Sequence, residues 1–445
     1  MKRLYTLLSV LMLASLVLAA CGGGTTEAPA TEVMTEAPTE AMTEAPTEAM
    51  TEAPTEAAGA FECTDEIGCV DIAPGEPIHF AWIQSVSGAT AALGQTNVNG
   101  AQIAIDDKGG ELLGHPIQFD GEDSLCSAEG GQAAGTKIAA DPTVVAILGT
   151  TCSSEARAAS PLVAEAGMVM MSPSNTNPDL TNPDHPDHHP GYFRTAHNDL
   201  FQGRVAAEFA FNELGFTTAA TVHDGSPYAQ SLQQVFADVF TELGGTITAQ
   251  EAINVGDTDM KPVLTTIAAD APEIIYFPIF EPEGNLLASQ KCEVSGLENT
   301  ALMGADGLLT TGFASTAGSC ALDMYLSGPY VAADTMTDFL DKYNTAFGEG
   351  PAAGFGPHSY DAMNMFFAAI EQVAVVDADG TVHIGRQALR DALYGTTGFQ
   401  GLTGSLACDE NGDCATGEAL AVFQVTQGMI DGGEDLLAST PVWTP

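Results

Sequence analysis

The sequence predicts an α/β protein made of two doubly wound lobes with parallel sheets, separated by a cleft. From residue 77 onward, short apolar runs alternate with longer helix-like segments, and repeated strand–helix–strand units form parallel sheets with helices on both faces. A Pro- and His-rich stretch at residues 177–191 interrupts this alternation, which then restarts. Small hydroxyl residues also follow two consecutive predicted strands, at the sheet edge where ligands bind in open α/β sheets.

The first series of elements forms the first predicted lobe. Its strands are residues 78–83, 116–120, 144–148 and 168–171, and its helices are residues 97–107, 129–140 and 154–166. Ser153 and Ser154 stand where the third helix should begin, and Glu155 lies in its first turn, which is typical of a helix start. The fourth strand leads into a second hydroxyl-rich segment, Ser-Pro-Ser-Asn-Thr at residues 172–176.

The second series forms the second predicted lobe. Its strands are residues 217–222, 246–253, 274–277 and 301–303, and its helices are residues 198–214, 228–243, 260–269 and 281–293. A strand at 324–330 and helices at about 335–347, 358–373 and 386–394 are predicted to return to the first lobe, before a last strand at 419–425. We therefore expect the first lobe at residues 76–196 and 327–400, and the second at 197–326 and 401–445. Several crossovers between the lobes would form a hinge.

The amino terminus is predicted to be a targeting segment outside the fold. Lys2 and Arg3 precede an apolar stretch at residues 4–18 that is too short to span a bilayer, so residues 1–20 are typical of a secretory signal. Leu-Ala-Ala-Cys before a Gly run resembles a bacterial lipobox, which implies cleavage before Cys21 and a diacylglycerol on its sulfur; the alternative is an ordinary signal peptide. Residues 21–60 repeat Thr-Glu-Ala-Pro units, and this composition predicts a disordered tether.

The charge balance narrows the classes of partner. The chain has 59 acidic and 12 basic residues, a formal net charge of −47. Nucleic-acid phosphates require Lys and Arg, so we expect no nucleic-acid partner. Anionic lipid headgroups would repel the same surface, and we therefore expect contact with the membrane through the lipid anchor only.

Eight cysteines follow Cys21, and an even number in an exported chain indicates four disulfides. Sequence proximity favours Cys63–Cys69 and Cys408–Cys414, whereas Cys126–Cys152 and Cys292–Cys320 would each close a loop of medium length. These spacings leave the connectivity open. The chain has no Cys-x-x-Cys pair, which argues against a zinc site.

Two further segments suggest metal binding, but each has a simpler interpretation. His185, His188 and His189 lie with several Asp residues in the segment 177–191, where the prolines and the lack of i, i+4 spacing favour a solvated turn. The acids at residues 408–414 hint at calcium, but Asn-Gly within that segment is a strong hairpin signal. We expect no metal and no cofactor.

Residues at the predicted strand ends show two complementary poles around the cleft. The candidates are Ser87, Ser153, Ser154, Ser174 and Thr176 in the first lobe, and His223, Asp224, Tyr228, Phe280, Glu281 and Asp306 in the second. Neutral hydroxyls and a helix start suit a carboxylate, whereas an acid with aromatic residues suits an ammonium group and an apolar body. A buried zwitterion needs both charges met, so the set fits an α-amino acid. Each residue alone is equally consistent with a cap, a turn or the core.

From about residue 77 to the carboxyl end, the chain resembles the branched-chain amino-acid (leucine/isoleucine/valine) binding proteins of bacterial ABC importers. This resemblance implies the type I periplasmic binding protein fold, with a three-stranded hinge and the ligand between the lobes. The matching segments, in order, are Ser-Gly to Leu-Gly at 87–94, Cys-Ser-Ser at 152–154, Met-Ser-Pro-Ser-Asn-Thr-Asn-Pro-Asp-Leu-Thr at 171–181, Arg-Thr at 194–195, Val-His-Asp to Tyr at 222–228, and Gly-Ala-Asp-Gly at 304–307.

The resemblance also implies roles for residues of the charged pole. Ser153, Ser174 and Thr176 would bind the ligand carboxylate and would also contribute to binding its ammonium group. Ser154 would lie beside them. Asp306 stands where the family has an acid that pairs with the ammonium.

For the remaining walls, the resemblance implies that Tyr228 closes over the ligand and that Phe280 lines the pocket. Leu93 replaces an aromatic residue of the family, a departure that leaves the shape of the side-chain pocket open. Cys126 and Cys152 match a disulfide of the family's first lobe.

These inferences predict a monomeric, extracytoplasmic solute-binding lipoprotein, not an enzyme, anchored to the bacterial membrane through Cys21. Its partners would be free leucine, isoleucine or valine and the permease and ATPase subunits of an ABC importer. Alternatives are the same fold binding an amide, urea or aromatic acid, a sensory ligand receptor, and a secreted hydrolase using Ser153. The chain has no Gly-x-Ser-x-Gly elbow, which argues against the hydrolase.

Overall fold

The structure is a computed structural model and describes residues 61–415 and 419–445. The predicted signal peptide (1–20), the lipidation site Cys21 and the tether (21–60) lie outside these residues. Every helix in the described part of the chain is too short or too polar to cross a bilayer.

The described residues alternate between strands and helices. The strands are β1 (Cys69–Ile72), β2 (Ile78–Gln84), β3 (Glu111–Leu112), β4 (His115–Asp123), β5 (Val144–Gly149), β6 (Val169–Ser172), β7 (Tyr192–Arg194), β8 (Thr218–His223), β9 (Thr246–Ala252), β10 (Ile274–Tyr276), β11 (Ala301–Gly304), β12 (Tyr325–Pro329), β13 (Val375–Val376), β14 (Val382–Gly385), β15 (Phe399–Gly401), β16 (Gly404–Leu406) and β17 (Leu420–Gln424). The helices are α1 (Ala91–Asp107), α2 (Ala128–Ala139), α3 (Ser153–Glu165), α4 (Asp199–Glu208), α5 (Pro227–Glu242), α6 (Lys261–Ala268), α7 (Glu283–Gln290), α8 (Phe313–Ala317), α9 (Ala333–Phe347), α10 (Gly356–Val373), α11 (Arg386–Tyr394) and α12 (Gln427–Ile430).

The first lobe is built on a six-stranded sheet with the order β3-β4-β2-β5-β6-β7. All its strand pairs are parallel except β3–β4. The central strands β5 and β6 are buried along their whole length, because helices cover both faces of the sheet. That burial explains why both strands read as continuous apolar runs rather than alternating patterns.

The second lobe repeats this topology with the order β17-β12-β11-β10-β8-β9. Its strands are parallel except β17, which runs antiparallel to β12. In each lobe the first long strand lies inside the sheet, the second is added on one side and the later ones on the other. The strand order therefore reverses next to β2 and next to β8, and the carboxyl ends at such a point are where open α/β sheets bind ligands.

The predicted return of the chain to the first lobe is wrong in two places. The strand predicted at 324–330 forms β12, which pairs with β11 and β17 in the second sheet. The segment after residue 400, predicted to lie in the second lobe, instead packs on the first: Leu406, Cys408 and Cys414 belong to the apolar core beneath α10. Asp361 of α10 holds this segment by accepting hydrogen bonds from the backbone N–H groups of residues 402 and 403, both at 2.8 Å.

Three chain segments connect the lobes, as the predicted hinge requires. They are residues 195–198 between β7 and α4, residues 330–332 between β12 and α9, and the connection from the Cys408–Cys414 loop to β17, part of which lies outside the described residues. Each segment joins elements that pack in different apolar cores. The small sheet β1-β14-β13 at the amino-terminal side was not predicted.

The structure contains four disulfides, which settle the connectivity that the cysteine spacings left open. They are Cys63–Cys69, Cys126–Cys152, Cys292–Cys320 and Cys408–Cys414. Cys126–Cys152 joins the segment after β4 to the segment after β5. It thereby fixes the loop that precedes α3.

Candidate functional site

A cavity lies between the carboxyl ends of the two sheets and is lined from both lobes. The space between its wall atoms is about 260 Å³, part of it continuous with solvent. Its lining residues are Leu93, Thr151, Cys152, Ser153, Ser174, Tyr228, Phe280, Asp306 and Phe355. The residues come from loops and from the beginnings of helices that are far apart in sequence, and they are brought together by the matching topology of the two lobes.

Ser153 forms one pole of the cavity at the beginning of α3. It is the first helical residue, after the N-cap Cys152 in extended conformation, and its hydroxyl has no hydrogen-bond partner among the described residues. The N–H groups of the first helical turn have no intrahelical acceptor, and the helix dipole adds partial positive charge there. This end of α3 can therefore accept a carboxylate, with the Ser153 hydroxyl as an additional donor.

Glu155 shapes this pole from behind. It is fully buried, and its carboxylate accepts hydrogen bonds from the Ser124 hydroxyl at 2.6 Å and from the Cys152 N–H at 2.8 Å. Burial raises the pKa of Glu155 to about 7, although these hydrogen bonds oppose the increase. Glu155 thus orients the backbone immediately before Ser153.

Ser174 lies beside this pole, and its hydroxyl is already engaged. It donates to the carbonyl of Thr151 at 2.9 Å and accepts from the side-chain amide of Asn97 at 2.9 Å. Asn97 also donates to the Gln84 side-chain oxygen at 3.0 Å. The same Gln84 oxygen accepts a hydrogen bond from the Thr151 hydroxyl at 2.6 Å. The proton of Ser174 is therefore committed, and the hydroxyl retains one lone pair that can accept a hydrogen bond from a ligand.

Asp306 forms the opposite pole, in the segment after β11. It is 5% exposed, and one of its oxygens, Oδ1, accepts hydrogen bonds from the Tyr228 hydroxyl and the Gln202 side-chain amide, both at 2.8 Å. Burial raises the pKa of Asp306, while nearby His197 and the two hydrogen bonds act in the opposite direction. The second oxygen, Oδ2, has no partner among the described residues. This oxygen can accept from a cationic group in the cavity.

Apolar and aromatic side chains form the remaining walls. The rings of Tyr228 and Phe280 are 4.9 Å apart, and Phe280 also packs against a small cluster that contains Leu93 and Phe355. Leu93 precedes Gly94, where the backbone of α1 approaches that of Ser85 so closely that an added Cβ would lie 2.0 Å from the Ser85 carbonyl oxygen. The glycine allows α1 to bring Leu93 to the cavity. These walls suit an apolar group of a small ligand.

Two of the eight residues expected to bind the ligand lie away from the cavity lining. Ser154 turns its hydroxyl toward the carbonyl of Cys126, at 2.9 Å, because the disulfide holds that carbonyl beside the first turn of α3. Thr176 is fully buried, and its carbonyl accepts from the N–H of Asp199 at 2.9 Å. The other six expected residues (Ser153, Ser174, Tyr228, Asp306, Phe280 and Leu93) line the cavity.

Three lining residues were missed as ligand contacts from the sequence. Thr151 and Cys152 directly precede Ser153, and the same turn exposes them. Phe355 precedes α10, far from any predicted strand end, and its approach to the cavity depends on how the returning chain packs. For Thr151 and Cys152 the position after a buried strand was an available signal, whereas Phe355 offered none.

The His-rich segment brings Asp179, His185 and Asp187 together, with one possible ligand atom from each within 4.8 Å of the others. His185 lies 3.7 Å from the Asp179 carboxylate and 3.4 Å from that of Asp187. Arg157 of α3 forms an ion pair with the same Asp187 carboxylate. Because this guanidinium compensates the charge of Asp187, the arrangement can be accounted for by ion pairs alone.

Comparison with known proteins supports the fold and the cleft. A model of the periplasmic binding protein family matches residues 77–433. The Leu/Ile/Val-binding protein BraC3 of Rhizobium johnstonii is 27% identical over 355 residues, which cover 79% of this chain and 92% of the relative. The Leu/Ile/Val-binding protein homolog 1 of Brucella abortus is 30% identical over 335 residues, covering 74% and 85% of the two chains.

Among solved structures, the leucine-binding protein LivK of Thermotoga maritima superimposes with a TM-score of 0.70 at 25% identity. The match covers 79% of this chain and 96% of that one.

Proposed function

Because the chain belongs to the periplasmic binding protein family, we propose that it is the extracytoplasmic solute-binding component of an ABC importer and captures an α-amino acid between its two lobes. The relatives named Leu/Ile/Val-binding proteins favour a branched-chain amino acid. The observation that carries the proposal is the pairing of Asp306 in one lobe with the beginning of α3 in the other, across a small cavity with apolar walls.

The two poles match the two charges of a zwitterion. The Ser153 hydroxyl and the first-turn N–H groups of α3 would bind the carboxylate. Asp306 would bind the ammonium group through its free oxygen Oδ2, and the remaining lone pair of Ser174 would accept a second ammonium hydrogen. A zwitterion leaving water needs partners for both charges, and this arrangement supplies them from opposite lobes.

The apolar walls would receive the ligand side chain. Tyr228, Phe280 and Phe355 present aromatic surface, and Leu93 contributes an aliphatic one. No additional charged residue lines the cavity in the described part of the chain, which supports an uncharged ligand side chain.

The mechanism would be capture by closure. The first lobe would bind the carboxylate, the second would rotate about the three hinge segments, and Asp306 and Tyr228 would then cover the ligand. The closed form would be the state that the permease recognises. A lipid on Cys21 and the tether at 21–60 would hold the protein, as a monomer, at the outer face of the membrane. ATP hydrolysis would belong to other subunits, and the chain itself would perform no catalysis.

Titration calorimetry tests this proposal, using the chain from residue 21 with Cys21→Ser to prevent lipidation. Leucine, isoleucine and valine are compared with acetamide, urea and benzoate. We expect saturable heat with at least one branched-chain amino acid and none with the other three. Binding heat with benzoate, urea or acetamide, together with no binding heat with leucine, isoleucine or valine, would overturn the amino-acid assignment.

A further inference from the structure

Asp199 is a buried acid that the proposed ligand contacts do not use. It is the first residue of α4, directly after the first hinge segment, and is 0% exposed. Neither of its carboxylate oxygens has a hydrogen-bond partner among the described residues, although the Thr176 hydroxyl lies near them. Its backbone N–H donates to the Thr176 carbonyl at 2.9 Å. Asp199 therefore lies behind the cavity wall, next to Thr176 and out of contact with solvent.

The basic side chains of this region are already engaged elsewhere. The Arg194 guanidinium is bound by the Asp413 carboxylate, by the Thr181 hydroxyl and by the Asn177 carbonyl at 2.7 Å. The His197 ring contacts the side-chain oxygen of Gln202 through Nε2. In the described residues, no Lys, Arg or His donates a hydrogen bond to Asp199.

The other ionisable groups around Asp199 make a negative charge there unfavourable. Asp306, Tyr228 and Tyr276 are fully or almost fully buried in the same region, and Asp306 adds like charge. Burial first, and Asp306 second, raise the pKa of Asp199 well above its usual range, with Thr176 and Arg194 opposing. Two neighbouring buried carboxyl groups titrate as a coupled pair, because a negative charge on one raises the pKa of the other. Asp306, whose Oδ1 atom accepts two hydrogen bonds, is the better site for a single negative charge.

We propose that Asp199 keeps its proton at neutral pH, so that the pair of Asp199 and Asp306 carries a single negative charge. An ionised, unpartnered carboxylate in this position would lose its hydration without compensation, whereas a neutral carboxyl can share a hydrogen bond with Thr176. Asp199 is then a positioning residue: it supports Thr176 and leaves Asp306 as the one counter-charge. The part of this inference that concerns the ligand rests on the proposed function, since a single charge matches the single ammonium of a neutral amino acid.

The pH dependence of stability tests the proton without any ligand. A raised pKa in the folded state gives stability that is complete below the ordinary Asp pKa and is lost as the pH rises through the folded-state pKa. Asn mimics the protonated acid at every pH. We therefore expect the melting temperature of Asp199→Asn to exceed that of the unsubstituted chain by a margin that widens from pH 4 to pH 8, reaching at least about 2 °C. A margin that stays constant above pH 5 would overturn the proposal.

Carboxyl-carbon NMR of aspartate-labelled protein follows the protonation of Asp199 in the unsubstituted chain, and a variant is needed only to assign the resonance. The Asp199 resonance, assigned from its absence in either Asp199→Asn or Asp199→Ala, should keep the chemical shift of a protonated carboxyl from pH 5 to pH 7. A titration midpoint below pH 5 would overturn the proposal.

Calorimetry with leucine at pH 7 tests the part of the inference that concerns the ligand. Asp199→Ala should weaken binding about tenfold because Thr176 loses its support, and Asp199→Asn should restore the affinity to within about threefold, since each tenfold is about 1.4 kcal/mol. Binding heats should agree between buffers of different ionisation enthalpy, because no proton leaves Asp199. Failure of Asn to restore binding, or release of about one proton per ligand, would overturn the neutral-acid role. If no amino acid binds at all, the proposed function fails, while the stability and NMR measurements still decide the protonation of Asp199.

Discussion

At the scale of single residues, Asp306 is the sharpest determinant of the proposed ligand. Its Oδ1 atom is saturated by Tyr228 and Gln202, so these two neighbours fix the carboxylate with its other oxygen toward the cavity. This arrangement supports a charge-assisted hydrogen bond to an ammonium group, which is stronger than a neutral one.

Asp306→Asn should therefore weaken amino-acid binding strongly. Asn retains an acceptor for Tyr228 and Gln202 but removes the charge, leaving the ligand ammonium buried and unpaired at a cost of about 2–5 kcal/mol, that is, at least about 30-fold in Kd. Calorimetry measures this change, with Asp224→Asn as the matched control. Asp224 is also a buried acid after a strand of the second lobe, but its side chain caps the N–H of Ser226 and does not line the cavity. Equal losses in the two variants would contradict the role of Asp306.

Glu155 should impose a pH dependence on stability. Its folded-state pKa of about 7 lies above the usual Glu value of about 4.3, so the folded state holds the proton more tightly than the unfolded one. The stabilisation is complete below about pH 4.3 and is lost as the pH rises through about 7, a difference of about 4 kcal/mol.

Urea unfolding at half-unit steps from pH 4.5 to pH 8 checks this prediction against Glu155→Gln. The unfolding free energy of the unsubstituted chain should fall relative to that of the variant across this window, because Gln cannot ionise. All other titrating groups contribute equally to both proteins and cancel in the difference. Parallel pH profiles would show that Glu155 does not titrate near neutrality.

At the residue scale, the sequence predicted those cavity residues whose location follows from their position after a strand. Ser153, Ser174, Tyr228 and Asp306 all follow strands directly or within a few residues, and all four line the cavity. Thr176 satisfies the same rule but lies behind the lining, because two residues beyond Ser174 the backbone has turned toward α4. The rule locates a segment, whereas the direction of each side chain depends on turns that the sequence pattern does not resolve.

At the scale of elements, a buried ion pair joins β7 to the Cys408–Cys414 loop. Arg194 is fully buried, and its guanidinium contacts both oxygens of Asp413, which also accepts from Asn198 at 2.9 Å and from Thr181 at 3.1 Å. Arg194 lowers the pKa of Asp413 despite burial, which acts in the opposite direction. Asp413, the last acid of the segment 408–414 that hinted at calcium, is therefore paired with Arg194.

Asp413→Ala should destabilise the fold by about 3–5 kcal/mol, because it leaves the Arg194 charge buried without a partner. Urea unfolding at pH 7 measures the loss. The control is Glu122→Ala, which removes the partner of Lys137 in an ion pair with a largely exposed lysine and should cost at most about 1 kcal/mol. A similar small cost for both variants would mean that Arg194 finds another acceptor when Asp413 is removed.

The errors in element assignment have a common physical origin. The apolar periodicity of a strand shows that it is buried but carries no information about which sheet it joins, so β12 was assigned to the wrong lobe. Its neighbours are determined by backbone pairing with β11 and β17, partners that lie 20 or more residues away. The segment that forms β15 and β16 was likewise assigned to the wrong lobe, because its attachment depends on the packing of Leu406 in the first core and on hydrogen bonds to Asp361.

At the scale of the whole molecule, the described conformation is held closed by contacts between the lobes. The side-chain amide of Asn177, after β6 of the first lobe, donates to the Pro227 carbonyl at the beginning of α5 of the second lobe at 2.7 Å. On another side of the cleft, the N–H of Thr311 donates to the Ala352 carbonyl at 3.1 Å. Both hydrogen bonds join the two lobes that line the cavity, so opening the cleft requires breaking them.

Asn177→Asp should weaken ligand retention by loosening this closure. The Asn177 Oδ1 atom caps the following turn by accepting from the Asp179 N–H at 2.7 Å, and Asp keeps that acceptor while losing the donor to Pro227. Losing one hydrogen bond costs about 0.5–1.5 kcal/mol, and the buried carboxylate that replaces the donor adds to this cost. We therefore expect ligand release to become at least about 2- to 10-fold faster with little change in the association rate, as is usual for interface changes. Stopped-flow displacement of bound leucine measures both rates.

Asn182→Asp is the matched control for this change. It adds the same charge to the same segment and also keeps a local cap, since Asn182 Oδ1 accepts from the Asp184 N–H at 3.1 Å, but Asn182 makes no contact with the second lobe among its described hydrogen bonds. We expect its release rate to match that of the unsubstituted chain. If both variants released ligand equally fast, the effect would come from charge in the segment and not from the interlobe hydrogen bond; if neither did, the Asn177–Pro227 contact would not limit opening.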